Sequence, residues 1–160
     1  MPDRSAAAPT PPTTIIQGGR AKAYRPLPEA ARLAALEAGL AAYGRGDFFE
    51  AHELLEPAWM GASDPVERDL HQGLIKLAAA YVHAVRGNPL GMTKNLRGAR
   101  ERLAAAAAQA GGPPLVRESG LDLDLDLLGV VGAIDRRLAR LERGEELRPS
   151  GAPRLTRRNR

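Results

Sequence analysis

The sequence predicts an all-α protein, two antiparallel helical hairpins plus a C-terminal helix forming a compact bundle. Three observations predict it. Apolar residues return at alternating spacings of three and four through most of residues 28 to 147. Glycine followed by Asp or Asn, often with a nearby Pro, punctuates that pattern where helices should end and restart. No stretch combines strand periodicity with a second stretch to pair with.

The first helix should open at Pro28 and Glu29, because a first-turn proline has its ring angle pre-set and loses no hydrogen bond there. Leu33, Leu36, Leu40 and Tyr43 give it one apolar face, and Gly44 and Gly46 should end it. Asp47 is placed to cap the second helix, whose arc of Phe48, Ala51, Leu55, Ala58 and Trp59 faces inward. Pro57 cannot donate to the Glu53 carbonyl, so a kink or an end near Gly61 is expected. Ser63 or Asp64, with Pro65 behind it, should start a third helix running to about Arg86.

Between Gly73 and Val85 only Lys76 and His83 on that helix can carry charge near neutral pH, so it belongs in the middle of the bundle. Gly87, Asn88 and Pro89 then open a fourth helix with Met92, Leu96, Ala99, Leu103 and Ala106 on one face. Gly111, Gly112, Pro113 and Pro114 begin a loop to the last helix, striped by Leu127, Val131, Ile134, Leu138 and Leu141 and ended by Gly144. Arg45-Gly46-Asp47 and Arg86-Gly87-Asn88 lie at corresponding points of the two hairpins, and Leu55 and Ala58 match Leu96 and Ala99 at the same offset. This is a weak twofold internal similarity, short of a repeat array.

A chain of 160 residues, 44% hydrophobic, is long enough for one ordinary core. With no Cys there is no disulfide frame, thiolate nucleophile or sulfur-ligated zinc. No apolar run approaches the roughly 20 residues of a membrane span, and residues 1 to 27 lack a secretory apolar core, which predicts a cytoplasmic protein with no membrane partner. The net charge of +4 divides unevenly. Arg4, Arg20, Lys22 and Arg25 against Asp3 give residues 1 to 27 a charge of +3. Arg148, Arg154, Arg157, Arg158 and Arg160 give residues 148 to 160 a charge of +5, so the domain between carries −4. Both tails are expected to be disordered and solubilising, with weak nucleic-acid contact the lesser reading.

Chemistry concentrates on two helices. His52 and Glu56 lie four residues apart at the edge of the apolar arc, a spacing that suits two ligands of one ion or a carboxylate orienting an imidazole. Phe49 and Met60 should flank them. On the third helix Asp69, Gln72, Lys76 and His83 fall on one narrow stripe of an otherwise apolar cylinder, and buried polar groups need partners. The two stripes should meet and offer nitrogen and oxygen ligands for a divalent metal such as Zn, Fe, Mn or Ni, with a position left for water. Trp59 reads as a core residue whose indole N–H reaches a carbonyl. His71 falls on the far side of the helix and reads as incidental. Asp122, Asp124 and Asp126 fail the calcium-loop pattern, with Leu127 in place of Gly and Ala133 in place of the bidentate acid. Ser119 and Ser150 have no neighbouring base.

The run from Phe48 to Trp59 contains H-x-x-x-E-x-x-W in His52, Glu56 and Trp59, and Gln72-Gly73-Leu74-Ile75 with His83 and Gly87-Asn88 forms a second block. Over residues 34 to 106 the chain resembles a bacterial and archaeal family called domain of unknown function 309. The resemblance implies a small helical protein with a metal site, labelled in places a predicted metal-dependent hydrolase. Carried over residue by residue, it implies His52, Glu56 and His83 as metal ligands; Trp59 and Phe49, by their places on the same helix, are expected to support them. Lys76 departs from the family pattern, which has Gln there; a cation at that place repels a metal, pairs with Glu56 or Glu53, or binds an anionic substrate. The leading expectation is a metal-binding protein of hydrolase type acting on a small molecule, with Glu53, Gln72 and Lys76 as catalytic candidates. The competing expectation is a non-enzymatic helical-hairpin interaction module in which the same cluster fixes helix register. Access decides between them, because a site opens to solvent and a structural network is sealed.

Overall fold

The computed structural model describes residues 14–17, 20–109, 125–145 and 151–155. Five helices carry the architecture: α1 (Glu29–Gly44), α2 (Phe48–Gly61), α3 (Pro65–Val85), α4 (Pro89–Ala107) and α5 (Leu127–Glu142). Each packs mainly on its neighbour in sequence, α1 on α2, α2 on α3, α3 on α4 and α4 on α5. This is the all-α bundle that the apolar spacing predicts. The loop opened by Gly111, together with Ser119, Asp122, Asp124 and Ser150, lies outside the described residues.

Local chemistry sets the boundaries. Asp64 accepts a hydrogen bond from the Glu67 amide (2.9 Å) at the start of α3, with Pro65 as first helical residue. Asn88 does the same for Gly91 (3.1 Å) before α4, and Asp126 for Gly129 (3.0 Å) before α5. Asp47 stands at the start of α2 without a side-chain cap, because its carboxylate pairs with Arg45 at 3.3 Å. Pro57 does not end α2, which continues to Gly61. Its ring lies on the exposed side, where a carbonyl deprived of its helical partner meets water.

The core is the sum of the predicted stripes. Leu36, Leu55, Leu70, Leu74, Leu77, Leu96, Leu103 and Ile134 are all 1% exposed or less, and each such side chain contributes about 1.5–3 kcal/mol by leaving water. Close approach depends on two missing side chains. A Cβ on Gly39 would sit 2.4 Å from Leu55 Cγ, and one on Gly73 would sit 2.6 Å from Leu103 Cδ2. α3 is covered on both sides, which matches its nearly all-round apolar sequence.

Both segments expected to be disordered tails contain ordered structure. β1 (Thr14–Gln17) and β2 (Arg20–Ala23) form an antiparallel pair with Thr14 opposite Ala23 and Gln17 opposite Arg20. The β-branched run Thr13-Thr14-Ile15-Ile16 followed by Gly18-Gly19 is a short-range hairpin signal that the overall tail composition conceals. After it, the Arg25 and Leu27 amides donate to the Met60 and Gly61 carbonyls (2.9 and 3.2 Å), so the chain straps the end of α2. At the other terminus Pro153 is buried, Ala152 and Leu155 pack on the core, and the Tyr43 hydroxyl donates to the Pro153 carbonyl at 2.7 Å. Three apolar residues among the arginines are enough to dock this segment beside Tyr43 and Phe48, whose rings meet edge-on at 5.3 Å.

Candidate functional site

α2, α3 and α4 enclose a cleft of about 220 Å³ lined by His52, Glu56, Trp59, Gln72, Ile75, Lys76, Ala79 and Asn95. The helix periods explain the lining. His52, Glu56 and Trp59 step along one edge of α2 at four and three, and Gln72, Lys76 and Ala79 do so along α3. The two polar stripes meet as their angular positions on the helices predict. α4 adds Asn95, whose amide nitrogen donates back to the Gly91 carbonyl (2.9 Å), leaving its side-chain oxygen as the remaining polar atom.

His52, Glu53 and Glu56 each offer one ligand atom, and these atoms all lie within 4.8 Å of one another. His52 Nδ1 stands 3.3 Å from Glu53 Oε1. The His52 side chain is 32% exposed and that of Glu53 55%, so the group opens to solvent. One imidazole and two carboxylates within this span fit a divalent ion, since the donors are of the right chemical type and close enough to converge.

The structure does not bring His83 into that group. Seven residues beyond Lys76, it is displaced roughly 10 Å along the α3 axis, and its Nδ1 lies 3.1 Å from Asn88 Nδ2 at the turn into α4. Gly91 makes room for it there, because a Cβ at Gly91 would come 2.5 Å from His83 Nδ1. Phe49 does not flank the pair either. It is 61% exposed and borders a different groove, with Phe48, Val82 and Val85. Asp69 shares the predicted stripe but accepts from Arg102 at 3.0 Å, outside the cleft lining.

Trp59 also departs from expectation. Its indole nitrogen is buried and meets no hydrogen-bond partner among the described residues, and the same is true of Gln72 Oε1. The ring borders the cleft and lies 4.9 Å from the Arg68 guanidinium. Arg68 is itself fully buried and donates through Nη1 to the carbonyls of Trp59 (2.6 Å) and Ala62 (2.9 Å). It therefore fixes the last turn of α2, which carries Trp59.

A second polar cluster went unread in the sequence. His71, far from incidental, is 0% exposed and sits 3.2 Å from Glu67 Oε1, which also accepts from Arg32 Nε at 2.6 Å. Burial alone would push the Glu67 carboxyl up, but hydrogen bonds and charge from His71 and Arg32 outweigh it and hold it below the usual carboxylate range. The available signal was the i, i+4 spacing of Glu67 and His71, the same one that marks His52 and Glu56.

No curated protein and no solved structure matches the chain. Residues 36–95 match one family model, Domain of unknown function (DUF309), and that span takes in α2, α3, the start of α4 and every residue that lines the cleft. The segment that builds the cleft is thus similar to the DUF309 family.

Proposed function

We propose that the protein binds a divalent metal ion through His52, Glu53 and Glu56 and uses the adjoining cleft to hydrolyse a small molecule. The observation that carries this reading is the convergence of three ligand atoms within 4.8 Å at a solvent-open position. A sealed hydrogen-bond network, the structural alternative, would have its polar atoms satisfied and hidden. Here Glu53 is 55% exposed, and two buried side-chain atoms of cleft-lining residues have no hydrogen-bond partner among the described residues.

A bound ion in such a site supplies a water of lowered pKa and a polarised substrate oxygen. His52 and Glu56 anchor the ligand set from consecutive turns of one rigid helix. Glu53, the most exposed of the three, is the carboxylate placed to accept a proton from water at its free oxygen. Gln72 and Lys76 face the group from α3 and orient the substrate.

Metal content of the full chain, purified without chelator, tests the reading by mass spectrometry beside His52→Ala. Near-stoichiometric Zn, Mn, Fe or Ni in the parent, lost in the variant with the helical signal intact, is the expected result. A parent that takes up none of these ions on addition ends the reading. The interaction-module alternative then gains, and it has an observation of its own. Phe49 and Val85 stand 61% and 64% exposed beside a groove of about 510 Å³ at the end of the first hairpin.

A further inference from the structure

We infer that the groove at the turn end of the first hairpin is the contact surface between two copies of this chain, paired about a twofold axis so that α2 of one copy lies over α3 of the other. The inference is independent of the metal reading, since no residue that lines this groove lines the cleft or offers a ligand atom.

Topology assembles the surface. α2 begins where α1 ends, and α3 returns to the same end of the bundle before α4 leaves it, so Phe49, Val85 and Leu90 all stand there. They are 61%, 64% and 83% exposed, three of the four large apolar side chains so exposed among the described residues. Single apolar residues scattered over a surface need no explanation, but a concentration at one end does. Phe49 and Val85 border the groove of about 510 Å³, with the less exposed Phe48 and Val82 beside them. A Cβ on Gly46 or on Gly87, in the turns on either side, would meet nothing within 4 Å, so no described part of the chain covers those turns.

The charges on the rim select the partner. Asp47 and Glu50 line the α2 side and Arg86 the α3 side. Arg45 pairs with both acids, at 3.3 and 3.5 Å, but all three side chains are more than half exposed, so these pairs are weak and exchangeable. Arg86 is exposed and makes no ion pair among the described residues. An anionic lipid surface or a nucleic acid carries one sign of charge and would be repelled by Asp47 and Glu50. A second copy, turned half a revolution about an axis through the groove, sets its basic rim on the acidic one and its acidic rim on the basic one. In a twofold pair a contact of one residue with another is repeated in reverse, so Phe49 of each copy meets Val85 of the other. The interface is small, and the pair should dissociate in the micromolar range.

Sedimentation velocity of the full chain over a range of concentrations tests this, with circular dichroism to follow the helices. A reversible equilibrium of monomer and dimer is the expected result. Because every contact is made twice, Phe49→Ala should weaken pairing about a hundredfold. Val85→Ala serves in its place should that variant unfold. Arg86→Glu alone and Glu50→Lys alone should each weaken pairing about tenfold, since each sets like charges on facing rims. Mixed in equal amounts, these two variants should pair again, because in the mixed dimer both facing rims are of opposite sign. A parent chain that stays monomeric at high micromolar concentration overturns the inference. So does a dimer indifferent to both apolar substitutions, or a mixture of the two folded charge variants that pairs no better than either alone.

Discussion

The end of the Lys76 side chain lies against Gly98 of α4, where a Cβ would come 2.8 Å from Lys76 Cδ, and a single methyl group tests this contact. In Gly98→Ala the new Cβ meets the flexible end of Lys76 rather than backbone, so the lysine swings aside at little steric cost. Replacing glycine inside a helix also gains up to about 1 kcal/mol. Urea denaturation should show stability unchanged or raised; a loss of stability above about 1 kcal/mol would mean that the methyl group strains α4 itself. At this scale much of the site was legible. His52, Glu56, Trp59, Gln72 and Lys76 follow from angular arithmetic because all five lie within two turns of one another along their helices. His83 was misplaced by the same arithmetic, since angle alone ignores the 1.5 Å rise per residue that carries it out of reach. Glu53 was read as a catalytic candidate rather than as a ligand, yet its long side chain brings an oxygen to 3.3 Å from His52. The ion-paired Glu67 and His71 were missed because helix α3 was read for its apolar face, where a satisfied carboxylate is unexpected.

One turn recurs at three helix ends. The amides of Asp47, Asn88 and Glu145 each donate to a carbonyl five residues back, on Ala42, His83 and Arg140, at 3.0, 2.9 and 3.1 Å. The glycines before them, Gly46, Gly87 and Gly144, have φ of 81°, 67° and 75°. This is the six-to-one closure that needs a left-handed residue, and it accounts for the resemblance between Arg45-Gly46-Asp47 and Arg86-Gly87-Asn88. Gly87→Ala should therefore cost about 1–2 kcal/mol in chemical denaturation, although space around the Cβ is open. An unchanged midpoint would contradict the assignment of strain to φ. Helix boundaries were readable because Gly, Asn, Asp and Pro act within a few residues of where they stand. The hairpin of β1 and β2 and the docked residues 151–155 were not, because a tail judged by average composition hides a two-residue turn signal and three apolar side chains.

The whole bundle depends on an ion pair that crosses it. Arg32 of α1 and His71 of α3 both hold Glu67, which is 3% exposed. Because the folded carboxyl lies below its ordinary value, Glu67 contributes stability above roughly pH 4.3, where a free glutamate ionises. That contribution is lost as pH falls through the depressed folded value, as the folded chain is forced to bind the proton. Glu67→Gln should lower stability at neutral pH by about 3 kcal/mol, the low end for a broken buried pair, because the amide keeps one acceptor. It should also flatten the acid limb of the stability profile, and an acid limb as steep as the parent's would assign the slope to other carboxylates. The position of Arg32 has a further consequence for how this protein can be divided. A piece cut to the family match, residues 36–95, would contain every side chain of the cleft and still bury Glu67 without Arg32. It would lose the residues that strap the end of α2, and with Leu96, Ala99 and Leu103 most of the inner face of α4. Kinship in sequence follows the cleft, whereas the smallest fragment able to stand alone is set by the braces around it.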